Sequence, residues 1–288
     1  MTADPVRVTG RVLIVAGSDS GGGAGIQADI KSVAALGGYA ATAVTALTAQ
    51  NTLGVSGIHP VPPAFIAEQM RVVLEDIGAD CIKTGMLHDA AVIDAVAESL
   101  DRWGDGIPLV VDPVMIAQSG ASLLERSALS ALRERLLGRA TLVTPNLPEA
   151  EVLLGEGIAD AAHMEGAVQR LHALTGAAVL LKGGHLEGEE LVDVLHDGAE
   201  TLVFRHRRIP TPHTHGTGCS LASAIATGLA QGEELAAAVV RARLFLLEAI
   251  RTAPGLGSGS GPVNHAHTLC RARLASGPGK GTATPARE

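Results

Sequence analysis

The chain has 288 residues and a formal net charge of −8, with no block of Lys and Arg; that balance argues against nucleic acid or an anionic membrane as partner and for a small solute. Hydrophobic residues make up 47% of it but aromatic ones only 2%, so the core must be built from Ala, Val, Leu and Ile, which suit helices packed on buried parallel strands. No apolar run reaches the roughly 18 to 20 residues of a bilayer span, the start does not read as a secretory signal, and the widely spaced Cys81, Cys219 and Cys270 support neither a disulfide framework nor a CxxC metal site; the cytoplasm is the expected compartment.

Short β-branched runs alternate with Ala/Leu-rich stretches along the chain. The pattern predicts a strand at 12–16, a helix at about 24–36, a strand at 41–47 and a helix at 63–75. Next come a strand at 81–84, a helix at 89–100, a strand at 109–112 and a helix at 127–136. A strand at 141–144 follows, then a helix from Pro148, a helix at 161–174 and a strand at 179–182. Segments 191–195 and 201–206 form an antiparallel pair around Asp197-Gly198, and helices at about 218–230 and 233–250 close the ordered part. This βαβ rhythm predicts an α/β fold on a mostly parallel sheet. The expected organisation is a flexible N-terminus at 1–10, one domain at 11–270 and a disordered tail at 271–288. The glycine-rich 255–262 segment is either a flexible linker or a loop folding over a ligand.

Two glycine-rich turns stand out. Gly17-Ser-Asp-Ser-Gly-Gly-Gly-Ala-Gly25 follows a strand and opens a helix, and Gly23 to Ala28 satisfies the GxGxxA form of a dinucleotide fingerprint. No acidic residue occurs between Asp29 and Glu68 to hold a ribose, so NAD binding is rejected. Gly25 to Ser32 misses a P-loop, because Ile30 stands where the second glycine belongs. What remains is a tight strand-to-helix turn or a ligand loop. Thr214-His-Gly-Thr-Gly-Cys219 runs straight into an Ala-rich helix; its first amides and the helix dipole offer an anion hole. Cys219, in the first turn, feels a potential that favours thiolate, although a small buried cysteine is the alternative.

Three strand ends add Asp112, Asn146 with Glu149, and Lys182, where open α/β sheets place ligand groups. Phosphoryl transfer needs a hard cation on oxygen ligands, a positive group on the phosphates and an acceptor for the hydroxyl proton. Asp112 with Glu149, Lys182, and Cys219 match those needs in turn. The pairs His213/His215 and His265/His267 lack a third ligand at evident spacing and are read as loop residues.

At these residues the chain resembles hydroxymethylpyrimidine/phosphomethylpyrimidine kinases of the ribokinase-like superfamily, from about Arg11 to His267. The stretches that carry the likeness are 16–29, Thr45-Ala-Leu-Thr-Ala-Gln-Asn51, Lys83-Thr-Gly-Met-Leu87, Asp112-Pro-Val-Met115, Thr144-Pro-Asn-Leu-Pro-Glu149, Lys182-Gly-Gly-His185, Thr214 to Cys219 and Gly261-Pro-Val-Asn264. The resemblance implies a three-layer α/β/α sandwich with a reduced lid, commonly dimeric. It implies phosphorylation, by ATP with Mg²⁺, of a hydroxymethylpyrimidine and then of its monophosphate in thiamine biosynthesis. By it, Gln50 hydrogen-bonds the pyrimidine, Asp29 stands near the same site, and Ala24, Thr48, Met86 and Val114 line the pocket. Cys219 takes the place of an aspartate base, and Gly216, Thr217 and Gly218 form the anion hole. Lys182, Thr217 and Asn146 serve ATP, and Asp112 and Glu149 hold Mg²⁺. Ser20 and Thr48 depart from the Pro and the apolar residue common at their positions. A pyridoxal or pyridoxine kinase, and a non-catalytic binding protein on the same fold, are the alternatives.

Overall fold

The computed structural model describes residues 8–115, 123, 128–186 and 188–269. Strand β1 (Arg11–Asp19) is buried on both faces. Leu13 and Val15 join one core with Ile82, Val111, Val143 and Val179, while Val12, Ile14 and Ala16 join another with Cys81, Val110, Leu142 and Leu180. Successive side chains of a strand point to opposite faces, so a strand covered on both sides reads as an unbroken apolar run.

The other strands are β2 (Tyr39–Asn51), β3 (Gly54–Pro60), β4 (Cys81–Thr84), β5 (Leu109–Val111), β6 (Leu142–Val143), β7 (Ala178–Lys182), β8 (Glu190–His196) and β9 (Thr201–Arg207). They form one sheet in the order β3-β2-β1-β4-β5-β6-β7-β8-β9. The run from β2 to β7 is parallel, and β3, β8 and β9 are antiparallel to their neighbours. Helices α1 (Gly25–Ala35), α7 (Thr217–Ala230) and α8 (Leu235–Arg251) cover one face. The other is covered by α2 (Pro63–Asp76), α3 (Ala90–Trp103), α4 (Ala128–Ala131), α5 (Leu147–Leu154) and α6 (Ala161–Thr175). The result is the expected three-layer α/β/α sandwich, and its six parallel strands deliver their carboxyl ends to one edge.

Some expectations need correction. β3, Gly-Val-Ser-Gly-Ile-His-Pro, was not predicted, because its glycines and half-exposed side chains give no alternation to read. It lengthens β2 into a hairpin that carries Gln50. The helix expected at 127–136 is a short α4 followed by a π-helical turn, Leu132–Leu136; Ser127 lies outside the described residues. Thr9 and Gly10, expected to be flexible, are hydrogen-bonded to Gly37 and Tyr39 at 2.9 Å each. Residues 1–7 and the tail with Cys270 lie outside the described residues. The 255–262 segment is tied down rather than a free linker. Ser260 donates to the Thr52 carbonyl at 3.0 Å and Gly261 to His213 Nδ1 at 3.2 Å, strapping the β2–β3 turn to the loop before α7. No helix of the described residues is long and apolar enough to cross a membrane.

Between the sheet and the α1/α7 layer lies a buried ion pair. Lys83 Nζ, on β4, contacts both Asp29 oxygens on α1 at 3.0 Å, and Ser223 Oγ on α7 donates to Asp29 Oδ1 at 2.7 Å. Neither charged side chain is exposed at all. Burial pushes the lysine down and the aspartate up; the two-oxygen contact opposes both, and for Lys83 it prevails, so the pair is ammonium with carboxylate. Removing one partner strands a buried charge. Lys83→Met is expected to lose about 3–5 kcal/mol in urea unfolding, whereas Lys83→Met with Asp29→Asn loses markedly less. Equal losses for the two would show that the charges themselves are immaterial.

Candidate active site

At the end of β1 the chain must turn sharply into α1, and Asp19 organises the turn. Its Oδ1 accepts from the Gly21 amide at 2.8 Å, and its Oδ2 from the amides of Gly23 at 3.0 Å and Ala24 at 2.8 Å. His215 Nε2 lies 2.8 Å from the same Oδ2. Burial pushes this carboxyl up, but the hydrogen bonds from His215 and the backbone outweigh it and hold it below its usual range. The amides of the first glycine loop are therefore already engaged by the chain's own carboxylate.

The second loop is different. Gly216 caps α7 at φ 83°, and a Cβ on it would overlap the Gly23 carbonyl, so only glycine fits. Thr217 N–H turns back to the Thr214 carbonyl at 3.3 Å. The amides of Gly218 and Cys219, as first-turn positions, have no acceptor one turn back in the helix, whereas the Thr217 amide is engaged. Ser220 Oγ braces the turn from below, at 2.7 Å from both the Gly216 carbonyl and His265 Nε2.

Cys219 borders the cavity in that first turn. Burial pushes its thiol up to about 12, against the opposing pull of the Lys83 ammonium and the Gly25 amide, while Asp29 and Asp112 push the same way as burial. The expectation of a thiolate-favouring site is thus corrected: the helix end is outweighed by its surroundings, and the resting group is a thiol.

Beyond Cys219 lie the charged strand ends. Lys182 Nζ contacts Asp112 Oδ1 at 3.0 Å, and Thr144 Oγ1 donates to the same oxygen at 3.1 Å. Burial pushes Lys182 down, but Asp112 and Glu149 raise it, so it stays charged. Asn146 and Glu149 form a capping box on α5: Glu149 N–H donates to Asn146 Oδ1 and Asn146 N–H to Glu149 Oε2, each at 2.9 Å. Burial raises the Glu149 carboxyl, which Lys182 lowers and Asp112 raises further. Asp112 and Glu149 offer the oxygen ligands that a hard cation prefers. Among the described residues no group of three or more His, Cys, Asp or Glu could hold a metal, so water and phosphate oxygens would complete a Mg²⁺ shell, as is usual for that ion.

One cavity of about 890 Å³ joins all this. Ala24, Thr48, Gln50, Met86 and Val114 line it together with Asn146, Glu149, Lys182, Thr217, Gly218 and Cys219, and the sheet order sets Gln50, on β2, and Lys182, on β7, toward opposite ends. Thr48 Oγ1 lies 2.9 Å from the Ser18 carbonyl and 3.1 Å from the Gln50 side-chain amide, which it holds at the cavity wall. Asp29, expected beside the pyrimidine, does not line the cavity: it is spent on Lys83 and Ser223.

Residues 19–264 match the family model described as phosphomethylpyrimidine kinase. The chain belongs to this family. It is 56% identical over 256 residues, 89% of the chain, to the thiamine biosynthesis bifunctional protein ThiED of Geobacter sulfurreducens, of whose length it spans about half, 52%. To the hydroxymethylpyrimidine/phosphomethylpyrimidine kinase of Bacillus subtilis it is 44% identical, covering 88% of this chain and 94% of that one. The fold superposes on an ADP complex of Bacillus subtilis pyridoxal kinase with a TM-score of 0.82, at 36% identity over 90% of this chain and 98% of the other. The fold is thus ribokinase-like.

Within this phosphomethylpyrimidine kinase fold, sequence reasoning missed Asp19, His215, Lys83 and Ser223. Lys83 had a signal, a charged residue inside a short apolar strand, Cys-Ile-Lys-Thr; Asp19 had a weaker one in the glycines that follow it. His215 and Ser223 had none, since their partners lie 196 and 194 residues away. The raised thiol makes a direct prediction. Alkylation of Cys219 by iodoacetamide, followed by peptide mass spectrometry, is expected to be still rising at pH 9.5, because thiolate is the reactive form. A plateau below pH 8 would mean that the helix end governs the thiol after all.

Proposed function

We propose that the chain is an ATP-dependent kinase that phosphorylates 4-amino-5-hydroxymethyl-2-methylpyrimidine to its monophosphate, and then that product to the diphosphate, in thiamine biosynthesis. The observation that carries this reading is the single cavity with Gln50 and an apolar ring pocket at one end, Lys182, Asp112 and Glu149 at the other, and the α7 turn between them. Family membership supports it. Residues 11–270 act as one kinase domain, and the resemblance also supports a cytoplasmic homodimer whose ligands are ATP and the pyrimidine.

Each side chain then has a task. Gln50, held by Thr48, offers its amide to the ring, and Met86 and Val114 pack against it. Lys182, with Thr217 and Asn146 beside it, neutralises ATP phosphates. Asp112 and Glu149 would hold Mg²⁺, which when bound would supply further positive charge to the phosphates. The Gly218 and Cys219 amides receive the charge that spreads over the transferred phosphoryl oxygens. In the first step the hydroxymethyl oxygen attacks the γ-phosphorus, the bond to ADP breaks, and the alcohol proton passes to the Cys219 thiolate. Because the resting group is a thiol, the competent form grows with pH. In the second step the acceptor is a phosphate oxygen with no alcohol proton to remove, so Cys219 matters less.

Cys219→Ala is accordingly expected to lower kcat for the hydroxymethylpyrimidine about 10²–10⁴-fold, the range of general-base contributions, and for the monophosphate far less. The wild-type first step is expected to speed up from pH 6 to 9. Coupled ADP release with each substrate measures both, and equal losses in the two steps would remove Cys219 as the proton acceptor. The superposition on pyridoxal kinase favours one second reading: turnover of pyridoxal with neither pyrimidine accepted would move the chain to that activity.

A further inference from the structure

Asp19, in the loop beside the ring-reading end of the cavity, and His215, beside the α7 turn, lie 196 residues apart in the chain. Transfer requires the accepting oxygen and the phosphoryl group to meet within a fraction of an ångström. We infer that Asp19 and His215 are a positioning pair that sets this separation by joining the two segments; the inference rests on the kinase reading above.

Both halves of the pair are fixed independently of each other. Asp19 is immobilised by three backbone amides of its own loop, and its own amide donates to Gln27 Oε1 at 2.9 Å. In the sheet it is the register partner of Thr48, whose hydroxyl meets both the Ser18 carbonyl and Gln50, so movement of Asp19 is movement of the ring pocket. His215 is fixed by its amide, which donates to the Gly261 carbonyl at 3.1 Å, and it immediately precedes Gly216. From the other side Ser220 Oγ donates to the Gly216 carbonyl and is itself met by His265 Nε2. The imidazole packs on Gly23, where a Cβ would overlap it, and Gly216 packs on the Gly23 carbonyl.

An ionised carboxylate only accepts hydrogen bonds, so Nε2 of His215 carries the proton and donates it. The side chains are 3% and 12% exposed, and in that shielded position a charge-assisted hydrogen bond is short and directional. Neither residue is needed to touch the reacting atoms: the pair acts through Gly216 on the amides of Gly218 and Cys219.

The test compares His215→Gln, whose amide nitrogen reaches the Nε2 position, with His215→Ala and His215→Asn, which do not reach it, and adds Asp19→Asn and the Asp19→Asn/His215→Ala double variant. With Mg-ATP and the hydroxymethylpyrimidine, Ala and Asn are expected to lower kcat about 10²-fold, the scale of an ångström misplacement, with KM for the pyrimidine changed less than about threefold. Gln is expected to recover most of kcat, and the double variant to be no slower than the worse single one, because both changes break one bond. A Gln variant as slow as Ala, a loss confined to KM, or multiplicative losses in the double variant would overturn the pair. Should His215→Ala fail to fold, the Gln and Asn comparison carries the same decision.

A second readout does not depend on the substrate: protection of Cys219 from iodoacetamide by inorganic phosphate. Wild type and His215→Gln are expected to be protected at similar phosphate concentrations, and His215→Asn only at about tenfold higher ones or more. If wild type turns over no substrate, the kinase reading fails by itself and this protection series decides the pair. Identical protection in all variants would overturn it.

Discussion

The close approach of two glycine loops is the constraint on which the rest of this site depends. Gly216 lies so near the Gly23 carbonyl that no side chain fits between them. That contact brings the amino end of α7 beside the amino end of α1, and so lets one cavity see both the ring pocket and the first-turn amides. Two glycine-rich turns that look equivalent in composition thereby take different roles. In the first, Asp19 occupies the amides; in the second, Gly218 and Cys219 border the cavity with first-turn amides that have no helical acceptor. The proposed anion site falls on the second because the first already holds a carboxylate.

Charge follows from the same geometry. The α1 and α7 helix ends and two lysines concentrate positive potential, and the carboxylates of Asp29 and Asp112 lie against Lys83 and Lys182 at 3.0 Å. Buried carboxylates and ammonium groups are tolerated together where either alone would be costly. Cys219 sits among these opposed fields, and desolvation decides its resting state. A helix amino terminus lowers a thiol only when the thiol is not also surrounded by dense protein and neighbouring carboxylates. The field at a side chain is the sum over all its neighbours, and the sequence reveals only the ones nearby in the chain.

Most of the fold was legible because it rests on local patterns: doubly buried strands such as 12–16 read as apolar runs, and helices such as α3 declare themselves by period and by a capping Asp89. β3 was illegible because it gains its structure from pairing with β2 rather than from its own propensity. The site divides the same way. Asp112, Asn146, Glu149, Lys182 and the 214–219 turn stand at strand or helix ends that sequence can locate, but the resting state of Cys219 and the partners of Asp112 and His215 depend on contacts from elsewhere in the chain. Asp29 was assigned to the substrate because a motif carries position but not direction: the residue faces Lys83 instead of the cavity. The link between Asp19 and His215 spans 196 residues and leaves no trace in either neighbourhood.

The central claim is that the transferred phosphoryl group is received by the second glycine turn and not the first. A crystal structure with Mg²⁺, ADP and tetrafluoroaluminate, a planar mimic of the group in flight, tests it most directly. The account predicts fluorine atoms within hydrogen-bond distance of the Gly218 and Cys219 amides, with the Asp19 carboxylate still on Gly21, Gly23 and Ala24. Fluorine atoms on the Gly21 to Ala24 amides, with Asp19 swung away, would contradict it.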